Sequence, residues 1–273
     1  MSSITNEQQA ASAFSKQSAV FDHLYASNAI IQYKRKRVRD HVEYFLKPGS
    51  NILELNAGTG EDAIYFANKG HTVHATDISE GMQSVLSSKA RKAGLSHFIT
   101  QENCSFTQLI SLKNKGPYDL VFSNFAGLNC SSQVDKVLNS LAPFVKPGGM
   151  ITLVILPRFC LWETLLVFKG KFKTAFRRFF SNKGVVSNVE GESFKCWYYN
   201  PSYIIKNTKK DFRLLSIEGL CTIVPPSYIE HFAEKHPAAF SFLKKKENKY
   251  KSAWPWKYIG DYYIISLIKR SKT

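Results

Sequence analysis

"LELNAGTGEDA", residues 53–63, decides how the rest of the chain is read. An apolar run leads into Gly58-x-Gly60-x-x-Ala63, a helical pattern follows, and Asp77 stands seventeen residues beyond Gly60. Taken literally, this is a dinucleotide fingerprint. Glycines let the backbone approach the ligand, a pyrophosphate rests on the helix N-terminus, and the later acid takes a ribose hydroxyl. Glu61 and Asp62, however, lie inside that first helical turn. A pyrophosphate there would meet two carboxylates, each opposing it by about 1 kcal/mol or more at intermediate dielectric. A ligand without phosphate, and preferably with positive charge, suits the loop better.

Outward from the loop, strand-like and helix-like stretches alternate. "NILELNA" is an apolar strand and "EDAIYFANKG" a short helix ending at Gly70; "HTVHATD" is a second strand and "EGMQSVLSSKARKAGL" a second helix. "HFITQE" and "YDLVFSNF" read as further strands, and "SQVDKVLNSLAPFV" as a helix stopped by Pro147-Gly148-Gly149. "MITLVIL" reads as a fifth strand. This alternation predicts βαβ units around a parallel sheet, and right-handed crossovers make the sheet doubly wound. On the N-terminal side, residues 14–46 carry apolar residues at helical spacing and predict a helix, with the basic run "KRKRVR" (34–39) as a solvated face. On the C-terminal side regularity stops at Pro157. "SYIIKNTKKD" resumes as a helix, "FRLLSIEGL" as a strand, and "DYYIISLIKR" as a final strand after a second irregular insert.

Charge divides the chain in the same way. Of 273 residues with net charge +16, residues 50–156 hold 8 basic and 8 acidic residues, whereas 157–273 hold 22 and 9. The second part also contains 23 of the 37 aromatic residues, including all four tryptophans. A neutral centre and a basic, aromatic remainder suggest shared chemistry in one part and a particular partner in the other. No window approaches the roughly 18 consecutive apolar residues of a membrane span. The start has no charged-then-apolar leader, so no secretion signal is expected. The five cysteines are widely spaced with no Cys-x-x-Cys, and the seven histidines show no ligand spacing, so neither a disulfide framework nor a metal site is expected. The expected location is a reducing cytoplasm.

The segment Glu54-Leu55-Asn56-Ala57-Gly58-Thr59-Gly60, followed by Asp77 at the end of the second strand and by "LAPFVKPGGMITLVIL", resembles the class I S-adenosylmethionine-dependent methyltransferases. The resemblance covers about residues 50–156 well and the last strands loosely. It implies a Rossmann-like, doubly wound sheet of seven strands, with an N-terminal helical cap over residues 1–50 on a methyltransferase domain over 51–273. Substrate-lid insertions are expected at about 157–200 and 222–258. The implied cofactor is S-adenosylmethionine. Glu54 would lie near its amino group, with Asn56, Ala57, Gly58 and Gly60 under its methionine and ribose. Asp77 would take the ribose hydroxyls, since a carboxylate can accept from two vicinal hydroxyls at once. Ile78 and Met82 would flank the adenine, Asn103 and Cys104 would supply a further adenine contact, and Asn124 and Phe125 would face cofactor and acceptor. The sequence departs from the family's loop at Asn56, where a first glycine is usual. A short polar residue that tolerates left-handed φ is the mildest such change.

The acceptor is harder to read, because methyl transfer needs in-line positioning and desolvation, and a base only where the acceptor must lose a proton. The loop after the fourth strand reads Ser123-Asn124-Phe125-Ala126, without the Asn/Asp-Pro-Pro-aromatic pattern of enzymes that methylate nucleic-acid amino groups and without a nucleophilic Pro-Cys. His23, Tyr25, Tyr198, Tyr199 and His231 are candidate acceptor contacts. In "CLWETLLVFKGKFKTAFRRFFSNKG" (160–184), Leu161, Leu165, Phe168, Phe172, Phe176 and Phe179 form a helical stripe beside six cations, interrupted by Gly170. This stretch is expected to serve as a lid lining an apolar pocket, with peripheral contact to an anionic membrane. The sequence therefore predicts a methyltransferase for a small, apolar or lipid-like acceptor. An RNA methyltransferase, supported by the basic surface, and a noncatalytic cofactor-binding protein, supported by Asn56, are the alternatives.

Overall fold

A computed structural model describes residues 3–229 and 231–271. Two helices, α1 (Ser3–Ala26) and α2 (Ala29–Phe45), precede the sheet. They are separate because Asn28 caps α2, its side chain accepting from the backbone N–H of Ile30 and Ile31. The helix predicted over 14–46 is therefore two helices.

The alternating region follows as β1 (Asn51–Leu55), α3 (Glu61–Asn68), β2 (Thr72–Asp77), α4 (Glu80–Lys92), β3 (Ile99–Asn103), β4 (Tyr118–Ser123), α5 (Val134–Ser140) and β5 (Val145–Ile155). Two short helices, α6 (Leu161–Thr164) and α7 (Phe172–Phe176), lead to a hairpin of β6 (Val185–Val189) and β7 (Glu192–Cys196). Next come α8 (Pro201–Thr208), β8 (Phe212–Leu220), α9 (Phe232–Lys235), α10 (Pro237–Tyr250) and β9 (Tyr262–Lys269).

Seven strands form one sheet in the order β3-β2-β1-β4-β5-β9-β8. Only β9 runs antiparallel to its neighbours. This is the doubly wound, Rossmann-like methyltransferase sheet that the sequence predicts. Its strands are continuous apolar runs because helices cover both faces. Leu53, Leu55, Val121, Ile151 and Leu153 bury on the side of α5 and α8, whereas Ile52, Leu120, Phe122 and Ile264 bury against α2, α3 and α4. Strand alternation puts Glu54 on the face of Ile52, beneath α2. The strand order reverses between β1 and β4, which opens a crevice at their carboxyl ends.

The basic run on α2 is not a solvated face. Lys34, Arg35 and Arg37 are buried. Arg37 pairs with Glu218 at 3.0 Å and Glu247 at 3.2 Å. The acidic partners come from 181 and 210 residues away, so no local pattern announces them. The predicted helix over 160–184 is likewise broken, at Gly170 with φ 69°. Among the described residues no helix is long and apolar enough to cross a membrane.

Candidate functional site

A cavity of about 340 Å³ sits over the carboxyl ends of β1, β2 and β4, walled by α1 and α2. Of the residues singled out in the sequence, Glu54, Asn56, Ala57, Gly58, Asp77, Ile78, Met82, Asn124, Phe125 and Tyr25 line it. Gly60, Asn103 and Cys104 do not. Gly60 begins α3 at φ 77°, and a Cβ there would lie 2.0 Å from Leu86 Cδ1, so its role is close packing of the loop on α4. Asn103 donates to the Ile78 carbonyl, and the buried Cys104 thiol donates to the Ser105 carbonyl.

The glycine loop is held from three sides. Asn56 adopts φ 48°. Its Nδ2 donates to the Asn124 carbonyl at 3.1 Å and its Oδ1 accepts from Ser123 Oγ at 2.7 Å, so the side chain is tied to the end of β4. Asp77 accepts the Gly58 N–H on one carboxylate oxygen and the Ser79 N–H on the other, both at 2.8 Å. Burial raises its pKa against the lowering effect of these N–H donors. Thr59 Oγ1 donates to Asp22 of α1 at 2.6 Å.

The two carboxylates at the start of α3 are both compensated. Asp62 Oδ1 accepts from Arg39 Nε at 2.7 Å, while its Oδ2 accepts from Asn124 Nδ2 at 2.7 Å and lies 3.6 Å from Arg35 Nη1. Glu61 pairs with Lys89, which also holds Asp22 at 2.7 Å. The repulsion expected of Glu61 and Asp62 toward an anion is therefore largely cancelled. Glu54 is different. It is 3% exposed, and its Oε2 has no hydrogen-bond partner. Burial, reinforced by the neighbouring Asp62 carboxylate, pushes its pKa well above the usual carboxylate range, with Arg39 and Arg35 opposing.

The N-terminal cap and Tyr25 were expected from sequence, but the other α1 residues of the wall were not singled out. Ala10, Ala11, Phe14, Phe21 and Tyr25 face the cavity from α1. The helix is fastened by Asn6 to the Cys130 and Lys195 carbonyls, by Glu7 to Ser105, and by Ser15 to Ser79. From α2, Ile31, Lys34 and Arg35 reach the same cavity. None of residues 157–200 lines it. That segment acts at one remove: Phe194 on β7 packs with Ala10, Ala13 and Phe14 of α1. From the second insert, Ser227 reaches the cavity.

The other acceptor candidates are spread apart. His23 is exposed on α1. Tyr198 is buried under the Arg178 guanidinium, 5.0 Å from its ring centroid. Tyr199 lies in the core and donates to the Ser131 carbonyl at 2.5 Å. His231 pairs on the surface with Glu234 at 2.8 Å. Only Tyr25 of the five is brought to the cavity, where burial and then Glu190 raise its pKa.

A family model described as "Methyltransferase domain" matches residues 52–149, the stretch from β1 into β5 that carries the glycine loop and Asp77. Over that stretch the chain is similar to the methyltransferase-domain family. The chain is 27% identical over 133 residues to an uncharacterized methyltransferase of Synechocystis sp., covering 47% of this chain and 59% of that one. It is 32% identical over 116 residues to demethylmenaquinone methyltransferase of Bacteroides fragilis, covering 40% and 45%. The chain thus spans about half to three fifths of the length of these curated relatives. In fold it is similar to 1,6-didemethyltoxoflavin-N1-methyltransferase of Burkholderia thailandensis, solved with its substrate and S-adenosylhomocysteine. The TM-score is 0.59 at 13% identity, over 99% of this chain and 92% of that one.

Proposed function

We propose that this protein transfers a methyl group from S-adenosylmethionine to a small acceptor with an apolar body. The observation that carries the reading is Glu54, a buried carboxylate with an unpaired oxygen in the wall of the cavity. A buried carboxyl lacking a partner is costly, and a ligand amino group would complete it. The remaining lining fits the same cofactor. Gly58, at φ 57°, has open space where a Cβ would be, so a ligand can approach the backbone. Asp77 ends β2 beside it with lone pairs left over after its two N–H contacts.

When bound, the cofactor supplies an electrophilic methyl group on a sulfonium. The protein's own contribution is orientation and exclusion of water. Glu54 and the loop hold one partner, and Phe14, Phe21, Phe106 and Phe125 line the cavity as apolar wall. Neither His23 nor His231 lines it, so positioning rather than histidine base catalysis supports the reaction. Of the sequence-predicted hydroxyls Tyr25 lines the cavity, and Tyr262 lines it as well. The acceptor named for the Bacteroides relative, a demethylmenaquinone, is consistent with an apolar-bodied substrate here.

Two alternatives lose support. Arg37 and Arg39 of α2 are spent on internal ion pairs and Lys34 and Arg35 are buried, which leaves less surface charge for RNA. Asn56 is turned toward β4, so its presence is no argument for a noncatalytic protein. The exposed lysines Lys169, Lys171, Lys173 and Lys183 instead sit among exposed aromatics, which favours peripheral contact with an anionic membrane.

Calorimetry with S-adenosylmethionine, S-adenosylhomocysteine and NAD tests the central reading. Binding of both sulfur ligands and not NAD is expected; the reverse would end it.

A further inference from the structure

The acceptor has so far been described only by the apolar wall of its cavity. The face of α2 that reaches the cavity adds charge. Ile31, Lys34 and Arg35 arrive together because they stand at i, i+3 and i+4 on one helix. Lys34 is 3% exposed. Its Nζ donates to Ser227 Oγ at 3.0 Å, while the nearest carboxylate oxygen among the described residues, Asp261 Oδ2, is 3.9 Å away. The other Asp261 oxygen already accepts from Arg178 at 2.7 Å. An ammonium has three donors, and burying it with so few acceptors is unfavourable. Arg35 repeats the pattern, with Nη1 3.6 Å from Asp62 and a buried Nε that has no acceptor.

The Phe125 ring is set between these two cations, its centroid 5.7 Å from Lys34 Nζ and 5.1 Å from the Arg35 guanidinium carbon. Tyr262 lies beside it, its ring centroid 4.7 Å from Lys34 Nζ and 6.2 Å from that of Phe125. Phe125 and Ala126 reach this position with φ of 45° and 63°. That conformation costs an L-residue roughly 1–2 kcal/mol. It is held by Asn124 Oδ1, 2.7 Å from the Phe125 nitrogen, and by the Val154 carbonyl, 3.0 Å from the Ala126 nitrogen. A strained turn thus places an aromatic ring among under-coordinated cations. Tyr262 begins β9, four strands across the sheet from β2 and Asp77, roughly 19 Å at the usual strand spacing. The cations therefore lie across the glycine loop from the carboxylate assigned to the ribose.

We infer that this end of the cavity is an oxyanion subsite for the acceptor, taking a carboxylate or similar group on Lys34 and Ser227 with a planar apolar body against Phe125 and Tyr262. The identity of the occupant as methyl acceptor rests on the proposed function; the anion preference does not. The test titrates wild-type protein, with and without saturating S-adenosylhomocysteine, with benzoate and with its neutral isostere benzamide. Benzoate is expected to bind at least about tenfold more tightly, and Lys34→Met is expected to erase the difference while changing S-adenosylhomocysteine affinity less than about twofold. Equal binding of the two probes by wild type, or binding of neither, overturns the inference. A loss of about tenfold or more in S-adenosylhomocysteine affinity in Lys34→Met also overturns it, because the cation would then hold the cofactor's own carboxylate. If Lys34→Met does not fold, Ser227→Ala and the wild-type comparison still decide. Failure of wild type to bind S-adenosylhomocysteine would count against the methyltransferase reading alone, and the titration without it would still read the subsite.

Discussion

Asn56 Nδ2 lies 3.1 Å from the carbonyl oxygen of Asn124, joining the loop after β1 to the end of β4 across the point where strand order reverses. The departure from glycine at this position is therefore a cross-strand tie. Asn56→Gly loses the tie but relaxes φ; Asn56→Ala loses it and keeps a Cβ at φ 48°. Asn56→Ala is expected to be less stable than Asn56→Gly by about 1 kcal/mol. Thermal denaturation of the two variants side by side measures the difference, and equal stability would show that the backbone is not strained here.

Asp77→Ala is expected to weaken S-adenosylhomocysteine binding by roughly 1.5–3 kcal/mol, the scale of charged hydrogen bonds lost from a buried site. Because Asp77 also accepts from Gly58 and Ser79, the variant should melt lower while remaining folded. Wild-type affinity in a folded variant would exclude this carboxylate from the cofactor site.

Glu54 is expected to make cofactor binding pH-dependent. Its pKa is raised in the folded protein, so folding takes up a proton. Stability contributed by this group falls as pH rises from the ordinary carboxylate range toward the raised value. A bound ligand amino group favours the ionised carboxylate, so binding releases the proton and affinity should rise with pH over the same window. Calorimetry in buffers of different ionisation enthalpy would read the released proton. Glu54→Gln should bind more weakly and without that pH dependence, whereas an unchanged pH profile would place the amino group elsewhere.

Glu247 is the strongest stability prediction. Its carboxylate accepts from the backbone N–H of Cys221, Thr222, Ile223 and Val224, from Tyr33 and from Arg37. It is 1% exposed. Removing it in Glu247→Ala takes away one of the two carboxylates on the buried Arg37 and the acceptor of four backbone donors, at a cost of about 3–5 kcal/mol. Denaturant unfolding measures this, and a loss near that of a surface substitution would contradict the network.

Phe168 and Phe180 are 84% and 80% exposed beside unpaired lysines. Each nearby lysine contributes about 1 kcal/mol on an anionic leaflet. The protein should co-sediment with anionic and not neutral vesicles, and a Phe168→Ser/Phe180→Ser double variant should release it. Phe172 and Phe176 face solvent rather than the cavity, so serine there should leave acceptor turnover intact. Tight binding of cellular RNA in a gel shift, without vesicle association, would favour the RNA alternative.

The strands were legible because each is an apolar run bounded by turn residues, and Asp77 because a carboxylate ending a buried strand has few other uses. What the sequence concealed depends on distance along the chain. Arg37 reads as solvated until Glu218 and Glu247 are brought to it, and Lys34 reads as one of a charge run until α2 is laid over β4 and β9. The wall from α1 is made of Ala10, Ala11 and Phe14, whose spacing suits any buried helix. The stripe in 160–184 was visible, but Gly170 breaks its register and most of it faces outward.

The fastening of α1 bears on how quickly the site can exchange its contents. That helix covers the cavity, and among the described residues its apolar packing comes from Ala10, Ala13 and Phe14 against Phe194, while Asn6, Glu7, Ser15, Lys16 and Asp22 hold it by polar side-chain contacts. Water can replace each of the polar contacts at a net loss of about 0.5–1.5 kcal/mol, so loosening of this helix is expected to cost less than disruption of the sheet. Two of its fasteners, Thr59 and Ser79, belong to the very loops that a bound ligand would touch. A ligand touching those loops is therefore expected to alter the contacts that hold the helix, and substitutions on its polar face should change the rate of ligand release.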